Sequence, residues 1–213
     1  MACIVPAILT DNPAELVRMV RLANSFADFV QIDIMDGVFV PPMSIHADDL
    51  WKPDMRFRWE AHLMVSRPSL HVESFVSAGA ERITIHAEAD EDVCEAISLA
   101  RGMHVEVGLA LNPETAVSQV EPLLPMVDIV LLLTVEPGYY GSLFLPGVLP
   151  KVVEVRAAHP GMRVAVDGGI KEGNLLEVAR TGVDEICVGS AIFRATDPAA
   201  AFRRLQDLAV GRG

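Results

Sequence analysis

Short apolar runs recur eight times along this 213-residue chain, and all but the second are followed by a stretch with helical spacing. No other feature restricts the fold so strongly. The runs lie at 3–8, 28–34, 57–64, 82–86, 104–110, 127–133, 162–166 and 184–188, are rich in Val, Ile and Leu, and read as strands. The spacing predicts helices over about 13–25, 68–78, 91–101, 114–124, 147–158, 173–181 and 197–209, with a short or irregular piece near 44–52. Asp11-Asn12-Pro13, Asn112-Pro113-Glu114 and Asp197-Pro198 each supply a capping side chain followed by an early helical proline. Ala78-Gly79-Ala80 and Arg180-Thr181-Gly182 place glycine where a helix turns into the next strand.

Strands alternating with helices point to a parallel sheet covered by helices. The run Val127 to Leu133 is apolar on both faces, as expected of a strand buried on both sides. The expected fold is α/β, a closed (β/α)8 TIM barrel formed by residues 1–213 as one domain. A doubly wound open sheet is the alternative, but no GxGxxG follows the first strand. In a barrel, chemistry sits where strands end and the following loops begin. Asp33, His62, His86, Asn112, Glu136 and Asp167 all fall near such ends.

Composition excludes several function classes. Hydrophobic residues make up 51 % of the chain, which argues against disorder. A formal charge of −12 argues against nucleic acid or an anionic membrane as the main partner. No apolar stretch reaches the roughly 18–20 residues of a membrane span, and the N-terminus lacks the basic and apolar regions of a secretory signal. Cys3, Cys94 and Cys187 lack zinc-type spacing and read as buried, reduced thiols of a cytoplasmic protein.

Two runs carry the chemistry. Val30-Gln31-Ile32-Asp33-Ile34-Met35-Asp36-Gly37 and Val164-Ala165-Val166-Asp167-Gly168-Gly169 each deliver a carboxylate to a strand end. Two carboxylates flanking one carbon can take a proton from one face and return one to the other, which is the chemistry of an epimerase. Strand alternation sets Gln31 on the face of Asp33, and aligns Glu60, His62 and Met64. Asp36 reads as a residue that fixes or caps its loop. Gly168-Gly169 and Gly189-Ser190 follow the seventh and eighth strands, the usual phosphate corner of such a barrel. An acidic protein still binds phosphate through a local set of backbone N–H groups.

Pro6-Ala7-Ile8-Leu9, Asp33-Ile34-Met35-Asp36-Gly37 with Phe39-Val40-Pro41, and His62-Leu63-Met64-Val65 resemble the ribulose-phosphate 3-epimerases. So do Val135-Glu136-Pro137-Gly138, Val166-Asp167-Gly168-Gly169-Ile170 and Val188-Gly189-Ser190-Ala191-Ile192-Phe193. Hexulose relatives such as the allulose-6-phosphate 3-epimerases share the pattern. The resemblance implies a TIM barrel, a ketose-phosphate substrate inverted at C3, a divalent metal ion (Mg, Mn, Fe or Zn) and, by analogy, a homo-oligomer. It implies Asp33 and Asp167 as the acid–base pair and, with His62, as metal ligands. Met35 and Met64 would line an apolar wall, and Gly138, Gly141, Gly168, Gly169, Gly189 and Ser190 would cradle the phosphate.

The chain departs from the family pattern near the site. Gln31 stands where the family has its first metal-ligating histidine, Ala7 where it has serine, and Pro42 where it has asparagine. Leu133 replaces a pocket methionine, Glu136 an asparagine and Tyr140 a loop glycine. Tyr140 would narrow the phosphate cradle or hydrogen-bond the phosphate. Gln31 binds a metal only through its amide oxygen, which favours magnesium or manganese over zinc. Alternatively, it hydrogen-bonds substrate or Asp33 in a metal-free site. Glu136 is either an extra carboxylate or a loop-orienting residue. A different sugar-phosphate isomerase or lyase, and a non-catalytic sugar-phosphate binder without metal, stay open. The Asp-x-Lys-x-x-Asp pattern of the decarboxylase relatives of this barrel is absent from the second strand.

Overall fold

In a computed structural model, which describes residues 2–138 and 142–211, eight parallel strands close into a barrel. They are β1 (Cys3–Ile8), β2 (Phe29–Met35), β3 (Arg58–Met64), β4 (Arg82–His86), β5 (Glu106–Leu111), β6 (Ile129–Leu133), β7 (Arg163–Asp167) and β8 (Glu185–Val188). Each pairs with its sequence neighbour, and β8 closes on β1 with Val5 opposite Cys187. The register sets Asp33 beside His62 and Leu133 beside Asp167. The predicted (β/α)8 architecture is therefore the observed one.

The strands bury one face against helices α1 (Pro13–Ala23), α2 (Ser69–Ser77), α3 (Val93–Gly102), α4 (Val117–Val120), α5 (Lys151–Ala158), α6 (Glu172–Arg180), α7 (Ser190–Phe193) and α8 (Pro198–Ala209). Ile8, Ile32, Leu63, Ile85 and Leu109 meet helix residues such as Leu16, Phe75 and Ile97 in this outer layer, all essentially inaccessible. Asn12 caps α1 by accepting from the N–H groups of Ala14 and Glu15, and Asp197 caps α8 through Ala200, as expected. Gly79 and Gly182 follow helices with φ of +103° and +81°, where a β-carbon would be strained.

The opposite strand faces fill the barrel, and they are chemically split. Val5, Ala7, Ala110, Ile129, Leu131, Leu133, Ala165 and Cys187 form an apolar side. The polar interior groups, Gln31, Asp33, Glu60, His62, Arg82 and Thr84, are gathered elsewhere. At the strand starts, buried Arg82 forms a double hydrogen bond with Glu60 (2.7 and 3.1 Å) and pairs with Glu185 (2.6 Å). Its guanidinium lies 4.5 Å from the Phe29 ring centre.

Three expectations fail locally. The helix foreseen over 114–124 is the four-residue α4 followed by a 3-10 turn, Glu121–Met126. Pro122 and Pro125 lack the N–H groups an α-helix needs there. Asn112 caps nothing; its N–H and carbonyl serve Glu88 and Lys151. Of the thiols, all free, only Cys187 is buried; Cys3 is exposed and Cys94 half-buried.

Candidate active site

At the C-terminal ends of the strands a cavity opens, lined by Asp33, Met35, His62, Met64, Leu133 and Asp167 together with several glycines. Asp33 and Met35 end β2, His62 and Met64 end β3, and Asp167 ends β7, so strand alternation alone aims all five inward. Met35 and Met64 pack with Val40 in an apolar wall. β7 and β2 are separated only by β8 and β1 around the ring, which brings two carboxylates remote in sequence to one hollow.

Gln31 ties the pair together. Its Nε2 donates to Asp33 Oδ1 (2.8 Å) and to Asp167 Oδ2 (2.7 Å). His62 Nδ1 stands 2.9 Å from Asp33 Oδ1 and 3.8 Å from Asp167 Oδ2. Burial, and next the charge of Asp33, push the Asp167 carboxyl up to about 7. Burial works to lower His62, but the hydrogen bond and charge of Asp33 carry it above the ordinary imidazole value. Burial dominates at His86, which falls to about 4. At Glu88 burial is outweighed by hydrogen bonds from His86, Thr115 and Asn112, which hold the carboxyl below its usual range.

Donor atoms of Asp33, His62 and Asp167 all lie within 4.8 Å of one another, compact enough for a divalent cation. A second observation fits the same group. Gln31 Oε1 is buried without a hydrogen-bond partner, while the amide nitrogen spans both carboxylates as a cation would. Turning that amide exchanges the orphaned oxygen for the nitrogen and completes a donor set of oxygens and one imidazole.

Gly138, Gly168, Gly169, Gly189 and Ser190 line the same cavity. Gly168 has φ +110°, and a β-carbon there would collide with the Val135 side chain. Tyr140 and Gly141 lie outside the described residues. Glu136 is exposed and does not line the cavity, so the suggested extra carboxylate is not brought to it. Asn112 does not line the cavity either. Asp36 fixes its loop by accepting from the N–H groups of Val38, Phe39 and Ser66.

Sequence reasoning missed Thr134. Its hydroxyl, with one proton to give, sits between the carbonyl oxygens of Gly168 (2.6 Å) and Asp167 (2.9 Å), and its N–H donates to the Asp167 carbonyl (2.7 Å). It anchors the turn that follows the second carboxylate. The available signal was a buried threonine just after an all-aliphatic strand.

Residues 3–193 match the model of the ribulose-phosphate 3 epimerase family. The chain belongs to this family. Members of the ribulose-phosphate 3 epimerase family catalyse C3 epimerisation of pentulose phosphates. The chain is 37 % identical to the ribulose-phosphate 3-epimerase, cytoplasmic isoform, of Oryza sativa subsp. japonica over 207 residues, covering 92 % of this chain and 90 % of the rice protein. It is 36 % identical to the ribulose-phosphate 3-epimerase of Aquifex aeolicus over 188 residues, 85 % of each chain. In three dimensions it is similar to 3-hexulose-6-phosphate synthase of Salmonella typhimurium (TM-score 0.74, 19 % identity, 99 % of both chains). It also resembles KGPDC of Streptococcus mutans (TM-score 0.72, 16 % identity, 99 % of this chain and 98 % of that one). At those identities the likeness concerns the fold of this epimerase-family chain and not its chemistry.

Proposed function

We propose that this chain interconverts D-ribulose 5-phosphate and D-xylulose 5-phosphate, or a closely related pair of ketose phosphates, by proton transfer at C3 between Asp33 and Asp167. The observation that carries the reading is the convergence of both carboxylates on one cavity, bridged by a single amide. The C3 proton of a 2-ketose is acidic because the neighbouring carbonyl takes up the charge as an enediolate. Asp167, raised to about 7, is the member suited to hold a proton near neutrality, and Asp33 is then the base. Return of a proton from the opposite carboxyl inverts the centre, and the roles exchange in the reverse direction. Met35 and Met64 keep water from the intermediate. Gly138, Gly168, Gly169, Gly189 and Ser190, with Tyr140 and Gly141, form the proposed phosphate cradle.

A divalent ion would be held by Asp33, His62 and Asp167, with Gln31 through its turned amide. When bound, such an ion supplies Lewis-acid stabilisation of the developing oxyanion. The oxygen-rich set favours magnesium or manganese over zinc.

Incubation of D-ribulose 5-phosphate with the protein in D2O tests the reading. The C3 proton is expected to wash out, and Asp33→Asn or Asp167→Asn to slow exchange by about 10²- to 10⁴-fold. Undiminished exchange in either variant would refute that residue's role. A homo-oligomer, to be read by light scattering, and a cytoplasmic location belong to the same proposal. No helix among the described residues is long and apolar enough to cross a membrane.

A further inference from the structure

His62 is one end of a buried chain of hydrogen bonds that leads away from the cavity. Its Nε2 lies 3.0 Å from Nε2 of His86. The two rings are inclined by only 21° with centroids 5.1 Å apart, so they meet edge to edge, as a bond between ring nitrogens requires. On the far side, His86 Nδ1 is 3.2 Å from Glu88 Oε2. Glu88 Oε1 accepts from the Asn112 N–H (2.8 Å) and from the Thr115 hydroxyl. The loop that supplies those two donors is itself held. Lys151 Nζ donates to the carbonyls of Asn112 (3.2 Å), Pro113 (2.6 Å) and Thr115 (2.7 Å). Both histidines are fully buried, and neither His86 nor Glu88 lines the cavity.

The direction of every proton in this chain follows from its far end. A backbone N–H only donates, so Glu88 Oε1 is an acceptor, and an ionised Glu88 has no proton to offer His86. His86 must therefore carry its proton on Nδ1. A neutral imidazole has one ring proton, so His86 Nε2 is a lone pair. A second lone pair facing it at 3.0 Å would be repulsive, so His62 must carry a proton on Nε2. The nitrogen left to face Asp33 and Asp167 is His62 Nδ1.

We infer that Glu88 and His86 are positioning residues that fix a proton on His62 Nε2 and so reserve its Nδ1 as the ring nitrogen offered to a divalent cation. The inference deepens the proposed function and rests on it for the identity of the site. The proton pattern itself is readable without turnover. A Glu88→Gln substitution reverses the pattern at constant size. The new amide oxygen stays on the Asn112 and Thr115 donors, its NH2 turns to His86 Nδ1, the His86 proton moves to Nε2, and His62 Nε2 must give up its own proton while Nδ1 keeps the one it shares with Asp33.

The experiment is nitrogen NMR on protein labelled with 15N-histidine, with only six histidines to resolve and His62 and His86 assigned by single substitution. The wild type is expected to show His86 protonated on Nδ1 alone and His62 protonated on Nε2. In Glu88→Gln, His86 should carry its proton on Nε2 and His62 Nε2 should be bare. The Kd for Mn2+, measured by calorimetry, should rise about 10- to 100-fold. A proton on His86 Nε2 in the wild type overturns the inference, and that reading stands even if the variant fails to fold. So does a folded variant with unchanged ring protons and unchanged Mn2+ affinity. The expected wild-type pattern without C3 exchange on any ketose phosphate would sink the proposed function and leave the relay in place. Exchange with the opposite pattern would sink the relay alone.

Discussion

At the scale of single residues, the site turns on Gln31. Its neutral amide spans two carboxylates at 2.7 and 2.8 Å, a place where a positive charge would be stabilised more strongly. Replacing it by histidine puts an imidazole there, a better ligand for zinc-like ions. Gln31→His is expected to tighten Zn2+ binding by about tenfold or more, equal to about 1.4 kcal/mol, and Mn2+ binding by less. Calorimetry that shows no change for either ion would mean position 31 is not a ligand. Proton linkage gives a second expectation. Asp167, near 7, is protonated below that pH, and a cation competes with that proton. Mn2+ binding at pH 6 should therefore release more protons than at pH 8.5, close to one from Asp167 and a further share from the raised His62, measured from the dependence of binding heat on buffer ionisation enthalpy. Equal release at both values would show that Asp167 holds no such proton.

At the scale of elements, strand periodicity carried most of the reading. Two-residue alternation placed Gln31, Asp33 and Met35 on one face of β2, and Glu60, His62 and Met64 on one face of β3, and all six are buried inside the barrel. Helix reading was weaker where local signals conflicted. Asn112-Pro113 has the form of a helix start, yet Pro122 and Pro125 shorten the helix and the loop is held by Lys151 instead. The turn after β7 depends on a missing side chain. Gly168 adopts φ +110° with Val135 packed where a β-carbon would go. Gly168→Ala should cost about 1–3 kcal/mol of stability from strain and overpacking. The displaced turn should also raise KM for the ketose phosphate more than it lowers kcat, if the turn holds phosphate. Denaturant titration and steady-state kinetics read the two effects separately, and an unchanged KM would remove this glycine from the cradle.

At the scale of the whole molecule, the barrel divides its polar interior between two ends. The strand starts are held by Arg82, Glu60, Glu185 and Arg163, joined across 103 residues of sequence between Arg82 and Glu185. Burial works to raise Glu185, but the hydrogen bonds and charges of Arg82 and Arg163 hold it below the ordinary 4.5. A carboxyl lowered in the folded state contributes stability above its unfolded value, and the contribution disappears as the pH falls through the folded value. Glu185→Gln should therefore destabilise the protein at pH 7 by about 3 kcal/mol, as expected for breaking a buried ion pair. The gap from wild type should narrow as the pH falls below about 4.5. Denaturant midpoints across that range check it; a gap independent of pH would mean the ion pair is not what the substitution removed.

What the sequence determined by itself was everything of short range: which runs are strands, which face of each strand is buried, and that two of them end in aspartate. Those follow from local sterics and from alternation, which a single chain displays directly. Tertiary structure alone decided which groups meet. The amide of Gln31 between two aspartates 134 residues apart, Glu136 turned outward, and His62 linked to Glu88 through His86 all depend on barrel closure and loop packing. Register and closure are collective properties of eight strands, so no single segment carries their outcome in its own residues.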